Sequence, residues 1–240
     1  APGTLVAALP IIKHGDTEHL VGLSADAPGS YAEYVVVSED MTMPVPDGVP
    51  IDHAALTEPL SVAVHAVNRG DVSKRDVAVV VGCGPIGLSV ILVLKAKGVK
   101  TVIASDLSAG RRDLARRCGA DIVVDPKVES PWDIAAKKGK YLTRTGQLLD
   151  TAFTAMRILR RVPGLPWWRV IALGDKIGAT PKGPVVFECV GVPGMIENIV
   201  SGVPLRSRIV VVGVCMELDR FRPAMAINKE VDLRFVIYYD

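Results

Sequence analysis

The run Asp76-Val77-Ala78-Val79-Val80-Val81-Gly82-Cys83-Gly84-Pro85-Ile86-Gly87 sets three glycines at the spacing G-x-G-x-x-G directly behind a block of valines. A buried strand ending in a tight turn needs a residue such as Gly82. Gly84 has no Cβ to hold the backbone away from a diphosphate, and Gly87 lets the next helix lie close on the strand. N–H groups at the helix start have no partner within the helix, so they face the phosphates, and the helix dipole assists. Asp106 ends the next apolar run, 24 residues after Gly82, where a carboxylate meets the hydroxyls of an adenosine ribose. The chemistry this spacing predicts is binding of a dinucleotide.

Asp106 also discriminates between dinucleotides. A carboxylate accepts hydrogen bonds from a free 2′-hydroxyl and repels a 2′-phosphate, which favours NAD over NADP. Arg111 and Arg112 follow closely and offer either a phosphate contact or a solvated helix start. Cys83 sits inside the glycine turn with no cysteine adjacent in sequence, so it reads as a small residue filling a crowded turn rather than a redox centre.

Strands and helices must alternate to hold such a turn. The sequence predicts strands at Val77–Val81, Thr101–Ser105, Ile122–Val124, Val185–Cys189, Ile209–Val212 and Leu233–Tyr238. Helices are predicted at Ile86–Lys97, Ala109–Cys118 and Gly194–Ser201. Near-continuous Val/Ile runs between helices mark strands buried on both faces of a parallel sheet. The fold class is therefore α/β, a Rossmann doubly wound parallel sheet over 51–240. Residues 1–50 are Pro- and Gly-rich, and their short apolar runs, among them Leu5–Leu9 and the alternating Tyr31–Val37, fit strands separated by turns. From Ile51 to Asn68 helical spacing broken by Pro59 predicts two short helices, the second ending near Gly70.

The interval 127–184 is 58 residues long, far beyond an ordinary connection. It carries eleven Lys/Arg against four acids, a net of +7. Leu149, Ala152, Phe153, Met156 and Leu159 recur there at helical spacing. It reads as a helical basic insertion that packs its aromatic residues on the sheet domain, with a subunit contact or a lid over the cofactor as the sharper alternative.

The whole chain of 240 residues has a formal net charge of +2, which gives no reason to expect a nucleic-acid partner. Four scattered cysteines without CxxC spacing suit a reducing cytoplasm rather than a disulfide framework. Val77–Leu94 is a charge-free stretch of 18 residues, but its central glycines and Pro85 fit strand, turn and helix rather than a membrane span. The N-terminal residues do not read as a signal peptide.

The sequence resembles the zinc-containing medium-chain alcohol and polyol dehydrogenases. The resemblance rests on Gly29-Ser30-Tyr31-Ala32-Glu33-Tyr34, Thr57-Glu58-Pro59-Leu60-Ser61-Val62-Ala63-Val64-His65-Ala66, the Gly82–Gly87 loop, Gly119-Ala120-Asp121, Phe187-Glu188-Cys189-Val190-Gly191 and Val211-Val212-Gly213-Val214. It implies a GroES-like catalytic domain, of which 1–50 would be a β-rich remnant, followed by an NAD-binding Rossmann domain. It also implies hydride transfer between an alcohol and NAD, assisted by zinc acting as a Lewis acid on the alcohol oxygen, and assembly as a homo-oligomer.

By the same resemblance Gly82, Gly84, Pro85, Ile86 and Gly87 would line the pyrophosphate, and Asp106 and Arg111 the adenosine ribose. Val190, Val212, Gly213, Val214 and the segment Val236–Tyr238 would approach the nicotinamide. Glu58 falls where sorbitol-like relatives hold a zinc-binding Glu. It is the one metal-site and catalytic candidate in the chain, with an acid favoured by a helix N-terminus as the equal alternative. By the resemblance the family's other ligands, a Cys and a Gly-His-Glu segment, belong upstream of residue 1, and no Gly-His-Glu occurs in this sequence. His14, Asp16, Glu18 and His19 read as a polar surface loop. The chain is expected to be chiefly the cofactor-binding part of such an enzyme, cut at both ends. A zinc-independent quinone or enone reductase and a non-catalytic NAD-binding module are the alternatives.

Overall fold

The computed structural model describes residues 2–176 and 181–239. They form two compact units, Ala1–Pro59 and Leu60–Asp240.

The second unit is built on a six-stranded sheet. In chain order its strands are β5 (Val77–Val81), β6 (Thr101–Ser105), β7 (Ile122–Val124), β8 (Val185–Glu188), β9 (Arg208–Val211) and β10 (Asp232–Phe235), following β1–β4 of the first unit. The spatial order is β10-β9-β8-β5-β6-β7, and all five neighbouring pairs are parallel. The chain starts in the middle at β5, builds outward through β7, then crosses to β8 and builds the other way. The strand order thus reverses between β5 and β8, and ligands of open α/β sheets bind outside the carboxyl ends of strands at such a point.

Alternation within β5 feeds both layers. Ala78 and Val80 pack with Ala63, Ala66 and Val67 of α2 (Thr57–Arg69) and Val90, Ile91 and Leu94 of α3 (Pro85–Ala96). Val77, Val79 and Val81 pack on the other face with Ala135 of α5 (Pro131–Gly139) and Ile199 and Val200 of α8 (Met195–Gly202). Each fully buried Val or Ile contributes roughly 1.5–3 kcal/mol, so these layers hold the sheet ends that carry the glycine turn. α4 (Ala109–Arg117) starts at Ser108, whose Oγ accepts the Arg111 N–H and caps the helix.

Several expectations differ from the structure. Pro59 does not break a helix: it is the third residue of α2, in the first turn, where no intrahelical N–H bond is required of it. The break comes earlier, after α1 (Ile51–Ala54). β10 stops at Phe235, short of Tyr238, which takes a φ of 55° that strands exclude. The interval 127–184 is not one insertion. Its α5 is capped by Ser130, buries Ala135 against the sheet, and is followed by Tyr141, whose hydroxyl accepts the Val77 N–H at 3.1 Å. This is the ordinary crossover from β7. The additional helices are α6 (Thr145–Leu159) and α7 (Trp167–Lys176). α6 has the expected period but buries no residue, with Phe153 at 55% and, in α7, Trp168 at 59% exposure. Of the interval's aromatic residues, Trp132 and Tyr141 pack against the core of the sheet, whereas Phe153 and Trp168 do not.

In the first unit β1 (Val6–Ala8) pairs antiparallel with β4 (Thr42–Pro44), and β2 (Ile11–His14) with β3 (Thr17–Leu20). His14 and His19 belong to that hairpin rather than to a loop, their rings 5.5 Å apart. Tyr31–Val37 forms no strand. Nearly all its side chains are exposed, so the alternation has no buried face to hold a register.

Candidate cofactor cleft

A cleft of about 670 Å³ opens at the carboxyl ends of β5, β6 and β8. Among its lining residues are Gly82, Gly84, Asp106, Arg111, Trp132 and Val190. Gly82 has a φ of 88°, and a Cβ there would lie 2.7 Å from the Val190 side chain. A Cβ on Gly87 would lie 1.9 Å from the Gly82 carbonyl oxygen, so no other residue fits this turn. Gly84 differs. A Cβ there would meet nothing within 4 Å, because the residue faces the open cleft. Gly84 caps α3 and Pro85 takes its first position. The start of α3, whose first N–H groups have no partner within the helix, thus stands beside the open cleft.

Asp106 follows β6 and is 8% exposed. Its Oδ2 accepts the Cys83 N–H at 2.7 Å and its Oδ1 accepts the Ser108 N–H at 2.7 Å. One lone pair on each oxygen remains for further donors such as ribose hydroxyls. The two arginines behind it separate in role. Arg112 donates to the carbonyls of Asp106 and Leu107 at 2.9 and 2.8 Å and pairs with Asp125 at 3.1 Å. Arg111 is exposed and lines the cleft. Cys83 is fully buried, and its thiol is pushed up to about 12 by burial and then by the Asp106 charge, so it stays protonated.

Val190, in the loop after β8, lines the cleft, whereas Val212, Gly213 and Val214, after β9, are not among its lining residues. Val190 is 40% and Val214 77% exposed, whereas Val212 is buried. A Cβ on Gly213 would lie 2.4 Å from the Gly191 nitrogen, so these loops meet backbone to backbone.

Trp132, Met195 and Asn198, which also line the cleft, were not singled out by sequence reasoning. The signal for Trp132 was available in Ser130-Pro131, a cap followed by proline at the first helical position. Glu58 belongs to the first unit, exposed in the first turn of α2. Among the described residues no three His, Cys, Asp or Glu side chains come together as a metal site. The described residues thus do not by themselves assemble a zinc centre, whereas the cleft has the room and the helix start that a dinucleotide needs.

The family described as zinc-binding dehydrogenase matches residues 85–156. (R,R)-butanediol dehydrogenase of Neisseria gonorrhoeae is 32% identical over 212 residues, covering 88% of this chain and 49% of that protein. Sorbitol dehydrogenase of Homo sapiens is 32% identical over 195 residues, covering 81% and 44%. These matches support a zinc-containing medium-chain alcohol or polyol dehydrogenase. The fold agrees: the crystal structure of 2R,3R-butanediol dehydrogenase from Bacillus subtilis matches with a TM-score of 0.67 at 26% identity, over 99% of this chain and 59% of that one. The chain spans about half the length of the curated family members it matches.

Proposed function

We propose that this chain is the NAD-binding part of an enzyme that transfers hydride between an alcohol or polyol and NAD. The observation that carries the reading is the glycine turn at the β5/β8 reversal, closed by Asp106 and open at Gly84. When bound, NAD accepts the hydride that leaves the alcohol carbon. Gly82–Gly87 bind its pyrophosphate at the start of α3. Asp106 accepts from the ribose hydroxyls and disfavours a 2′-phosphate, and Arg111 flanks that ribose. Val190, Val212, Gly213 and Val214 shape the nicotinamide end. These roles orient the cofactor, and most of the rate of such a transfer comes from orientation and the electrostatics around it.

Glu58 is proposed as a zinc partner supplied to a site completed by other residues, and no step is derived through it. The names of similar proteins support a diol or polyol as substrate. We further propose a homo-oligomer joined along β10, whose edge leaves Phe235 at 63% and nearby Ile237 at 74% exposure. The four free thiols support a reducing, cytoplasmic setting. Among the described residues no helix is long and apolar enough to cross a membrane.

The test is absorbance at 340 nm on the gene product that carries this chain, given NAD and a panel of diols and polyols. The reading expects NADH to form with at least one of them. With NADH and an enone supplied instead, oxidation of NADH without alcohol turnover in the first assay contradicts it in favour of a reductase, and NADH binding with neither reaction points to a binding module.

A further inference from the structure

We propose that Glu188 is a positioning residue, a buried carboxylate that clasps together the two loops against which the nicotinamide lies. The inference rests on the cofactor reading above.

Glu188 is the last residue of β8 and is only 2% exposed, at the end of the wholly buried run Val185-Val186-Phe187. A carboxylate at that depth is costly unless it is hydrogen-bonded, and an apolar residue would continue the strand without that cost. Its bonds show what the acid does. Oε1 accepts the N–H groups of both Val190 and Gly191, at 2.7 and 2.9 Å. The main-chain carbonyl accepts those of Val212 and Gly213, both at 2.9 Å. One residue therefore holds the loop after β8 with its side chain and the turn after β9 with its backbone.

The two loops are also in register with each other. A Cβ on Gly213 would stand 2.6 Å from Glu188 Oε2, and a Cβ on Gly191 would stand 2.7 Å from the Val214 carbonyl oxygen. Neither glycine has room to shift toward the other. A carboxylate fixed between them determines where the exposed side chains of Val190 and Val214 stand. None of these bonds reaches the Gly82–Gly87 turn or Asp106.

The experiment compares NADH with ADP-ribose, which shares the adenosine and diphosphate but lacks nicotinamide, by calorimetric titration of the full chain and two variants. Glu188→Ala is expected to weaken NADH about tenfold, the loss of roughly 1.4 kcal/mol, and ADP-ribose by less than about threefold. Glu188→Gln keeps the Oε1 acceptor and is expected to stay within about threefold for both. Equal weakening of both ligands by Glu188→Ala makes the residue merely structural and overturns the inference. So does unchanged NADH affinity.

Hydrogen exchange on the unaltered chain gives a second reading that does not depend on the variant folding. NADH, but not ADP-ribose, is expected to slow exchange at the Val190 and Gly191 amides. Equal slowing by both ligands contradicts the assignment. An unaltered chain that binds neither ligand overturns the cofactor reading itself and this inference with it.

Discussion

The backbone N–H of Cys83 donates to Asp106 Oδ2 at 2.7 Å, so the acid proposed to read the ribose also holds the middle of the glycine turn. Removing it therefore does two things at once. Asp106→Ala is expected to weaken NADH at least tenfold without gaining NADPH affinity, because the loop amide loses a charged acceptor worth roughly 1.5–3 kcal/mol. Parallel titrations of both cofactors check this. A variant that takes NADPH as tightly as the parent takes NADH would show that Asp106 acts on the ribose alone.

Gly84 and Gly87 separate binding from folding. Gly84→Ala adds a methyl to open space and should move Tm by less than about 3 °C, while NADH affinity falls about tenfold or more as the methyl enters the diphosphate cradle. Gly87→Ala drives a Cβ into the Gly82 carbonyl and should cost at least about 2 kcal/mol of stability. Thermal melts beside titrations decide it, and equal melts for the two variants contradict the turn geometry.

Cys83 should resist alkylation. With its pKa raised to about 12, the thiolate fraction at pH 8 is about 10⁻⁴, and only the thiolate attacks. Raising pH toward 12 exposes the reactive form; lowering it does not. Mass mapping after iodoacetamide treatment at pH 8 should find Cys83 unmodified in the native chain and modified in denaturant. Native labelling there contradicts the burial.

Arg208 ties the amino ends of the strands to the loop before β5. It donates to the Gly70 carbonyl at 2.9 Å and to Asp76 Oδ2 at 2.8 Å, both side chains largely buried. Arg208→Met leaves Asp76 without its charge partner and is expected to cost about 3 kcal/mol, or roughly 6–12 °C in Tm. Denaturant unfolding measures it, and a loss below about 1 kcal/mol would mean the pair is solvent-screened.

The sheet and its glycine turn were legible because their signals are local. Val77–Val81 is apolar at every position, and Gly82 and Gly87 each answer to a local backbone constraint, a φ of 88° and the Gly82 carbonyl. The Arg111/Arg112 division was not, since it depends on which guanidinium reaches Asp125. Tyr31–Val37 misled because alternation describes a strand only when a partner buries one face. α5 was hidden in a long basic interval because its 9 residues make too few turns for a helical period to stand out. The clasp at Glu188 was out of reach of any periodicity, joining residues of two strands and two loops.

The most direct test of the account is a fluorescence titration of the 240-residue chain with NADH and, separately, NADPH, following Trp132 in the cleft wall by energy transfer to the nicotinamide. The account predicts saturable NADH binding at least tenfold tighter than NADPH, weakened about tenfold or more by Gly84→Ala in a chain that still melts cooperatively. A cooperatively folded chain that binds neither cofactor would contradict it.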